Sequence, residues 1–331
     1  PGIMAERYTY AASLGFCIVI ITLIFRFMKV DAPAFRWKLE DYKKTRNLIL
    51  VIAALFTVRT FWRTTDWKDK ETLYGGDMEY LHESVKANML YGALISKNAL
   101  QANMESRVSD GKGGVQINKE KQQEAIRLFT EARSYYQKAA EMAPYYHTAW
   151  SNLGTAYFFT GETRPALSYF LKAVKIKDKY AEGWFNVGMA YDKLEMTDSA
   201  IYSFTKSIKS DSNYIESYEQ LSRLRMQKQN NSAEALNVLR LAARHKPESE
   251  YPWTSMASIY LQLKDSAHFE SSMEMAAQIN PENLRVIGTL AQYYQGKKDF
   301  NKAQQYGSMA QALQRKQQEE QMKKQQEDLD K

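Results

Sequence analysis

Aromatic, small and large apolar residues recur along this chain at a fixed interval. Residues 150–157 read W-S-N-L-G-T-A-Y and residues 184–191 read W-F-N-V-G-M-A-Y, an offset of thirty-four residues. The apolar and small positions within each phrase lie three and four residues apart, the spacing of one face of an α-helix. Each phrase is followed by a small-large-small trio, Ala166, Phe170 and Ala173, then Ala200, Phe204 and Ser207. The pattern predicts a helix, a turn and a second helix, a unit that cannot bury its apolar face alone and must stack on neighbours.

The repeated phrase resembles the signature of the tetratricopeptide repeat (TPR), and the array extends in both directions from it. Downstream, Tyr218, Leu221, Ser222 and Arg225 begin a third unit whose second helix carries Ala235, Leu239 and Ala242. Trp253, Met256, Ala257 and Tyr260 begin a fourth, with Phe269, Met273 and Ala276. Leu290, Ala291, Tyr294, Ala303 and Ala310 carry a more polar fifth that suits a capping repeat. Upstream, Ala132, Tyr136 and Ala139 end an earlier unit whose first helix is expected over 83–103, with Tyr91, Gly92 and Ile95 at signature positions. The array is thus expected over 83–313, with repeats near 83–146, 147–180, 181–214, 215–249, 250–283 and 284–313 and a charged tail at 314–331. Its linker 107–118 contains Asp110-Gly111-Lys112-Gly113-Gly114, which reads as an exposed, mobile loop; no apolar strand precedes it and the Lys-Ser/Thr pair of a phosphate-binding loop is absent.

Composition changes the picture at the amino-terminal end. A quarter of the chain is charged, 25%, yet residues 11–28 carry only Arg26 and residues 48–62 only Arg59. At a rise of ~1.5 Å per residue the first stretch spans most of a ~30 Å hydrocarbon core, and the second does so with flanks over 45–63. Lys29, Arg36, Lys38, Lys43, Lys44 and Arg46 outnumber Asp31, Glu40 and Asp41 in the intervening loop, which places 29–47 on the cytoplasmic side. The expected fold class is all-α, two transmembrane helices within 1–65, a juxtamembrane connector at 66–82 and a TPR α-solenoid of about five to six helix pairs. The expected location is integral to a membrane: a bacterial inner membrane with a periplasmic TPR domain, or the endoplasmic reticulum membrane with a lumenal one in a eukaryote.

Two further motifs carry a resemblance. Ala5-Glu6-Arg7, Tyr10, Ser13, Gly15 and Phe16 resemble the A-E-R-x-x-Y-x-x-S-x-G-F segment of the transmembrane-and-TPR-containing proteins, polytopic enzymes of the GT-C glycosyltransferase superfamily related to protein O-mannosyltransferases. Arg63, Asp66-Trp67-Lys68-Asp69, Glu71, Leu73 and Tyr74 look like that family's passage into its repeats. The resemblance implies transfer of a sugar from a polyprenyl-phosphate donor to protein on the outer face of the membrane, with the repeats binding polypeptide. It also implies that the catalytic acid precedes Pro1, so that this chain is a carboxy-terminal part of a longer one and holds no catalytic residue of its own. Glu6 and Arg7 would contact the lipid phosphate or form an interfacial ion pair. The alternative is a membrane-tethered TPR scaffold for protein–protein interaction with no chemistry of its own.

In a TPR array the residue before the Leu-Gly pair points into the groove. Here that position is Asn152, Asn186 and Gln220, then Ser255 and Thr289. Side-chain amides offer a donor and an acceptor to an extended peptide backbone, and the first two rungs resemble the asparagine ladder of O-linked N-acetylglucosamine transferases; hydrogen bonding within the array is the other reading. Phe158, Phe159 and Phe185 add aromatic contacts or core packing. Asp66, Asp69 and Glu71 read as the acidic start of a helix, and His82, His147, His245 and His268 show no ligand spacing, so no metal is expected. Cys17 is single and contributes no disulfide. The net charge of +7 is dispersed apart from the loop and tail, which argues against nucleic acid. The expected partners are membrane lipid and a polypeptide in the groove.

Overall fold

The computed structural model describes residues 70–109 and 115–329, together with Asn47, Val51, Ala54, Leu55 and Val58. The chain divides into two compact units, Pro1–Glu79 and Tyr80–Lys331. In the first, the five isolated positions are helical and exposed, and α1 (Lys70–Leu81) runs through its end.

The second unit is a succession of helix pairs. They are α2 (Val85–Glu105) with α3 (Lys119–Met142), α4 (His147–Phe159) with α5 (Thr163–Ile176), and α6 (Ala181–Lys193) with α7 (Thr197–Ser210). There follow α8 (Ile215–Gln227) with α9 (Ser232–His245), α10 (Tyr251–Gln262) with α11 (Ser266–Ile279), and α12 (Leu284–Lys297) with α13 (Phe300–Leu329). Each helix packs on the one before and the one after it, the arrangement of an all-α solenoid.

Local chemistry explains where the helices stop and start. In the last five pairs the turn between the two helices contains one residue in the left-handed region: Gly161 at φ 90°, Glu195 at 62°, Asn230 at 48°, Lys264 at 58° and Lys298 at 63°. Asparagine or aspartate side chains cap α3, α9, α11 and α12. Asn118 Oδ1 accepts from the amides of Glu120 and Lys121, Asn231 Oδ1 from Glu234, Asp265 Oδ1 from His268 and Asn283 Oδ1 from Arg285 and Val286.

The repeated phrase acquires a physical role. Trp150 Nε1 donates to the Pro144 carbonyl at 2.8 Å, Trp184 Nε1 to the Asp178 carbonyl at 2.7 Å and Tyr218 Oη to the Ser212 carbonyl at 3.1 Å, six residues upstream in every case. Each aromatic thereby closes the turn that ends the preceding pair. The glycine and the central phenylalanine are matched as well: a Cβ on Gly154 would lie 2.6 Å from Phe170 Cδ1, and one on Gly188 2.6 Å from Phe204 Cε1. Phe170 and Phe204 are buried with their flanking small residues, each ring contributing about 2–3 kcal/mol by its removal from water.

Several expectations need correction. The first helix of the upstream pair begins at Val85, not 83, because Ser84 Oγ accepts from the Ala87 amide at 3.3 Å and sets the cap. The flanks of the linker 107–118 are not loop: β1 (Arg107–Ser109) pairs antiparallel with β2 (Val115–Ile117), Val108 opposite Gln116. Its β-branched residues favour strand, and the Asn118 amide donates to the Ser106 carbonyl at 2.7 Å at the base of the hairpin. Asp110 and residues 111–114 lie outside the described residues. Apart from these corrections, residues from 314 belong to α13, which runs as far as Leu329.

The fold class that began with two transmembrane helices is corrected to an all-α solenoid of helix pairs. Among the described residues no helix is long and apolar enough to cross a membrane. The physical reason is visible in α2, which has the length, 21 residues, but carries Lys86, Lys97 and Glu105 with Asn88, Asn98 and Asn103 between them. The stretches 11–28 and 45–63 fall outside the described residues except at Asn47, Val51, Ala54, Leu55 and Val58. The membrane lipid partner and the integral-membrane location, bacterial or endoplasmic reticulum, lose their structural support with the spans.

Candidate functional site

The first helices of successive pairs share one face of the solenoid. Ala93, Ser96, Lys97 and Leu100 of α2, Phe129 and Tyr136 of α3, Asn152 and Thr155 of α4 and Glu182 of α6 line a cavity of about 420 Å³. Further along, Tyr251, Thr254, Ser255 and Ser258 of α10, Phe269 and Met273 of α11 and Arg285 and Thr289 of α12 line another of about 340 Å³. All five ladder positions are half-buried, and Asn152, Ser255 and Thr289 line these two cavities.

The ladder residues share this face without forming one network. Asn152 faces the Tyr136 hydroxyl, whose pKa burial raises while Ser96 and Asn152 draw it back down; Ser96 Oγ is 3.1 Å from that hydroxyl. Asn186 Nδ2 donates to Ser151 Oγ of the preceding pair at 3.4 Å. Gln220 Oε1 accepts from Arg223 Nε at 2.9 Å, and Arg223 Nη2 reaches Asp192 at 2.5 Å. Thr289 donates to the Arg285 carbonyl at 2.7 Å. Hydrogen bonding within the array therefore uses part of each amide, and Asn186 Oδ1 and Gln220 Nε2 are left without a partner among the described residues.

The phenylalanines are packed. Phe159 stacks on Phe129 at 4.7 Å, Phe158 lies beneath the Lys193 ammonium at 4.7 Å, and Phe185 sits between Phe204 at 5.7 Å and Tyr214 at 5.4 Å. Glu6, Arg7, Asp66 and Asp69 lie outside the described residues. Among the described residues no group of histidine, cysteine or acidic side chains could hold a metal ion.

A set of residues that the ladder argument missed lies along the same face. Tyr180 Oη donates to Glu182 Oε2 at 3.2 Å, and the Tyr180 ring meets His147 at 4.8 Å. Burial pushes the Tyr180 hydroxyl up to about 12, the Glu182 carboxylate adding to the shift. Tyr214 is raised by burial and then by Glu216, Glu182 and Tyr180. Tyr251 is pushed up to about 12, again chiefly by burial, with Ser255 and Glu219 as its polar neighbours. A sequence signal was available: Tyr146, Tyr180 and Tyr214 recur every thirty-four residues just before a first helix, with Glu182 and Glu216 two positions beyond the latter two.

The tetratricopeptide repeat family model matches residues 147–180 and 181–214. Protein O-mannosyl-transferase Tmtc2 of Drosophila melanogaster is 30% identical over 76 residues, 22% of this chain and 7% of that protein; the chain thus spans a small fraction of that relative's length. Among solved structures, one of Pseudomonas aeruginosa PilF is 16% identical, over 68% of this chain and 93% of that one, with a TM-score of 0.47. A crystal structure of YrrB, described as a TPR protein with an unusual peptide-binding site, is 15% identical, over 65% of this chain and 96% of that one, with a TM-score of 0.42. A crystal structure of MamA is 16% identical, over 51% and 98% of the two chains, also with a TM-score of 0.42. Likenesses of this degree carry no argument about function.

The assignment to the GT-C glycosyltransferase superfamily is corrected on these findings. The relative bearing a mannosyltransferase name is matched over 7% of its length, too little to bring its activity across. Prominent charged groups are spent between helices: Arg133 on Glu162, Arg223 on Asp192, Lys297 on Glu270 and Lys302 on Glu274. No cofactor-binding site is formed among the described residues.

Proposed function

We propose that this chain is a protein-interaction scaffold whose first helices bind an extended polypeptide segment, with Asn152, Asn186 and Gln220 as backbone-directed contacts. The observation that carries the reading is the partial satisfaction of the amides on one face: Asn186 Oδ1 accepts and Gln220 Nε2 donates to nothing else among the described residues. One unused acceptor and one unused donor, on consecutive first helices, match what an extended backbone presents. The cavity beside Asn152, about 420 Å³ with apolar walls at Ala93, Leu100 and Phe129, supplies room for a side chain of the bound segment.

The proposal contains no sugar donor. The polyprenyl-phosphate-linked sugar rests on the resemblance alone, and Glu6 and Arg7, which would contact its phosphate, lie outside the described residues.

Selection of a displayed random-peptide library on the full chain tests the reading. Selected peptides should lose roughly tenfold or more in affinity for the Asn152→Ala, Asn186→Ala, Gln220→Ala triple variant, the loss of several neutral hydrogen bonds at about 0.5–1.5 kcal/mol each. Peptides that bind the wild-type and the triple variant equally would overturn it.

A further inference from the structure

The tyrosines and glutamates on the groove face say what kind of segment it takes. Glu182, Glu216 and Glu219 come from the first helices α6 and α8, and no lysine or arginine among the described residues forms an ion pair with any of them. Asp192, on the same face, is by contrast neutralised by Arg223. Two of the three unpaired carboxylates are held by tyrosine hydroxyls, Glu182 by Tyr180 at 3.2 Å and Glu219 by Tyr251, so that each is positioned without losing its charge. Tyr214 stands between Glu182 and Glu216 and feels both. The result is a strip in which aromatic rings alternate with carboxylates that form no ion pair among the described residues.

Such a strip attracts cations in two ways, by direct pairing with the carboxylates and through the ring faces. The chain already shows the second: the Lys177 ammonium stands 5.7 Å from the centre of the Tyr180 ring. From this complementarity, and resting on the polypeptide-groove reading above, we propose that the strip Tyr180, Glu182, Tyr214, Glu216, Glu219 and Tyr251 selects a partner segment rich in lysine or arginine. Adjacent packed helices lie ~8–10 Å apart and an extended chain advances ~3.3 Å per residue, so basic side chains about three residues apart meet successive rungs. The nearby cavity has Glu182 and Lys97 on its wall, and its apolar surface at Ala93, Leu100 and Phe129 takes the aliphatic stem of one such side chain with the charged head turned to Glu182.

The test uses the full chain and three labelled peptides of equal length in a serine-glycine background, with arginine, glutamate or glutamine at every third position, titrated by fluorescence anisotropy. The arginine peptide should bind, weaken as salt is raised, and lose about tenfold in the Glu182→Gln, Glu216→Gln, Glu219→Gln triple variant, as expected for three partly exposed charge pairs. Glu248→Gln, on an exposed residue between α9 and α10, should leave the affinity unchanged, and circular dichroism of the triple variant should match the wild type. Binding of the glutamine peptide that depends on Asn152 and Asn186 but is no weaker than that of the arginine peptide would overturn the basic preference and leave the groove reading standing. Arginine-peptide binding insensitive to the triple substitution would likewise overturn the preference. Binding of none of the three, beside a failed library selection, would overturn both.

Discussion

Arg223 of α8 donates through Nη2 to Asp192 of α6 at 2.5 Å, and through Nε to Gln220 on its own helix at 2.9 Å. One guanidinium thus ties two repeats together and fixes the orientation of a groove amide. Both side chains of the ion pair are largely shielded, with 32% and 20% of their surface exposed. A double-mutant cycle on Arg223→Ala and Asp192→Ala should give a coupling of about 1–2 kcal/mol in urea unfolding, between the values for exposed and buried pairs. A coupling near zero would show that the pair adds nothing to the junction.

The match between Gly188 and Phe204 predicts a cost for one methyl group. A Cβ there would lie 2.6 Å from Phe204 Cε1, and Phe204 is fully buried. Gly188→Ala should therefore destabilise by roughly 1–2 kcal/mol despite the better helix propensity of alanine. Thermal unfolding followed by circular dichroism checks the sign.

The turn at Glu195 predicts the opposite. Its φ of 62° is costly for any residue with a Cβ, so Glu195→Gly should stabilise by roughly 0.5 kcal/mol after the extra freedom gained by the unfolded chain is subtracted. The same melts read this outcome, and a loss of stability would count against strain at the turn.

Two pH windows follow from the shifted groups. Tyr180 and Tyr251 are each pushed up to about 12 in the folded state, chiefly by burial, against about 10 in an unfolded chain. Their contribution is complete below the unfolded value and is lost as pH rises through the folded one, so stability should fall between about pH 10 and 12. The Tyr180→Phe, Tyr251→Phe double variant should show a shallower alkaline loss in denaturant titrations at stepped pH.

On the acid side, Lys297 holds Glu270 and Lys302 holds Glu274 below the usual carboxylate range, with Tyr294 reinforcing both. Carboxylates lowered in the folded state stabilise it above about pH 4.5, and that contribution disappears as pH falls through their folded values. The α11–α13 end should therefore loosen first in acid. Hydrogen exchange at pH 3, resolved by peptide, should show earlier opening of 266–302 than of 147–210.

The stacking of helix pairs was legible because it depends on short-range spacing. The aromatic, glycine and phenylalanine positions of 150–157 and 184–191 specify contacts within one pair and its neighbour, and Gly154 on Phe170 and Gly188 on Phe204 are those contacts. The hairpin at Arg107–Ser109 and Val115–Ile117 was not legible, since three residues are too few for a strand pattern to stand out from a loop. At the groove, the amides of Asn152, Asn186 and Gln220 could be placed on a face by their register. What each amide is bonded to could not be read, because Ser151 and Arg223 reach them through side-chain rotamers that no periodicity encodes. The Tyr180 and Tyr214 rungs were periodic but lay just outside the phrase that defined the repeat.

The indole clamp has a consequence for how the chain emerges during synthesis. The carbonyl of Asp178 is sealed by Trp184, and that of Pro144 by Trp150, so the closing turns of these two pairs depend on residues translated after them. At the ribosome exit each of these two turns would lack its indole bond until the next helix has emerged, and a stall just before Trp184 would leave the α4–α5 pair unlatched.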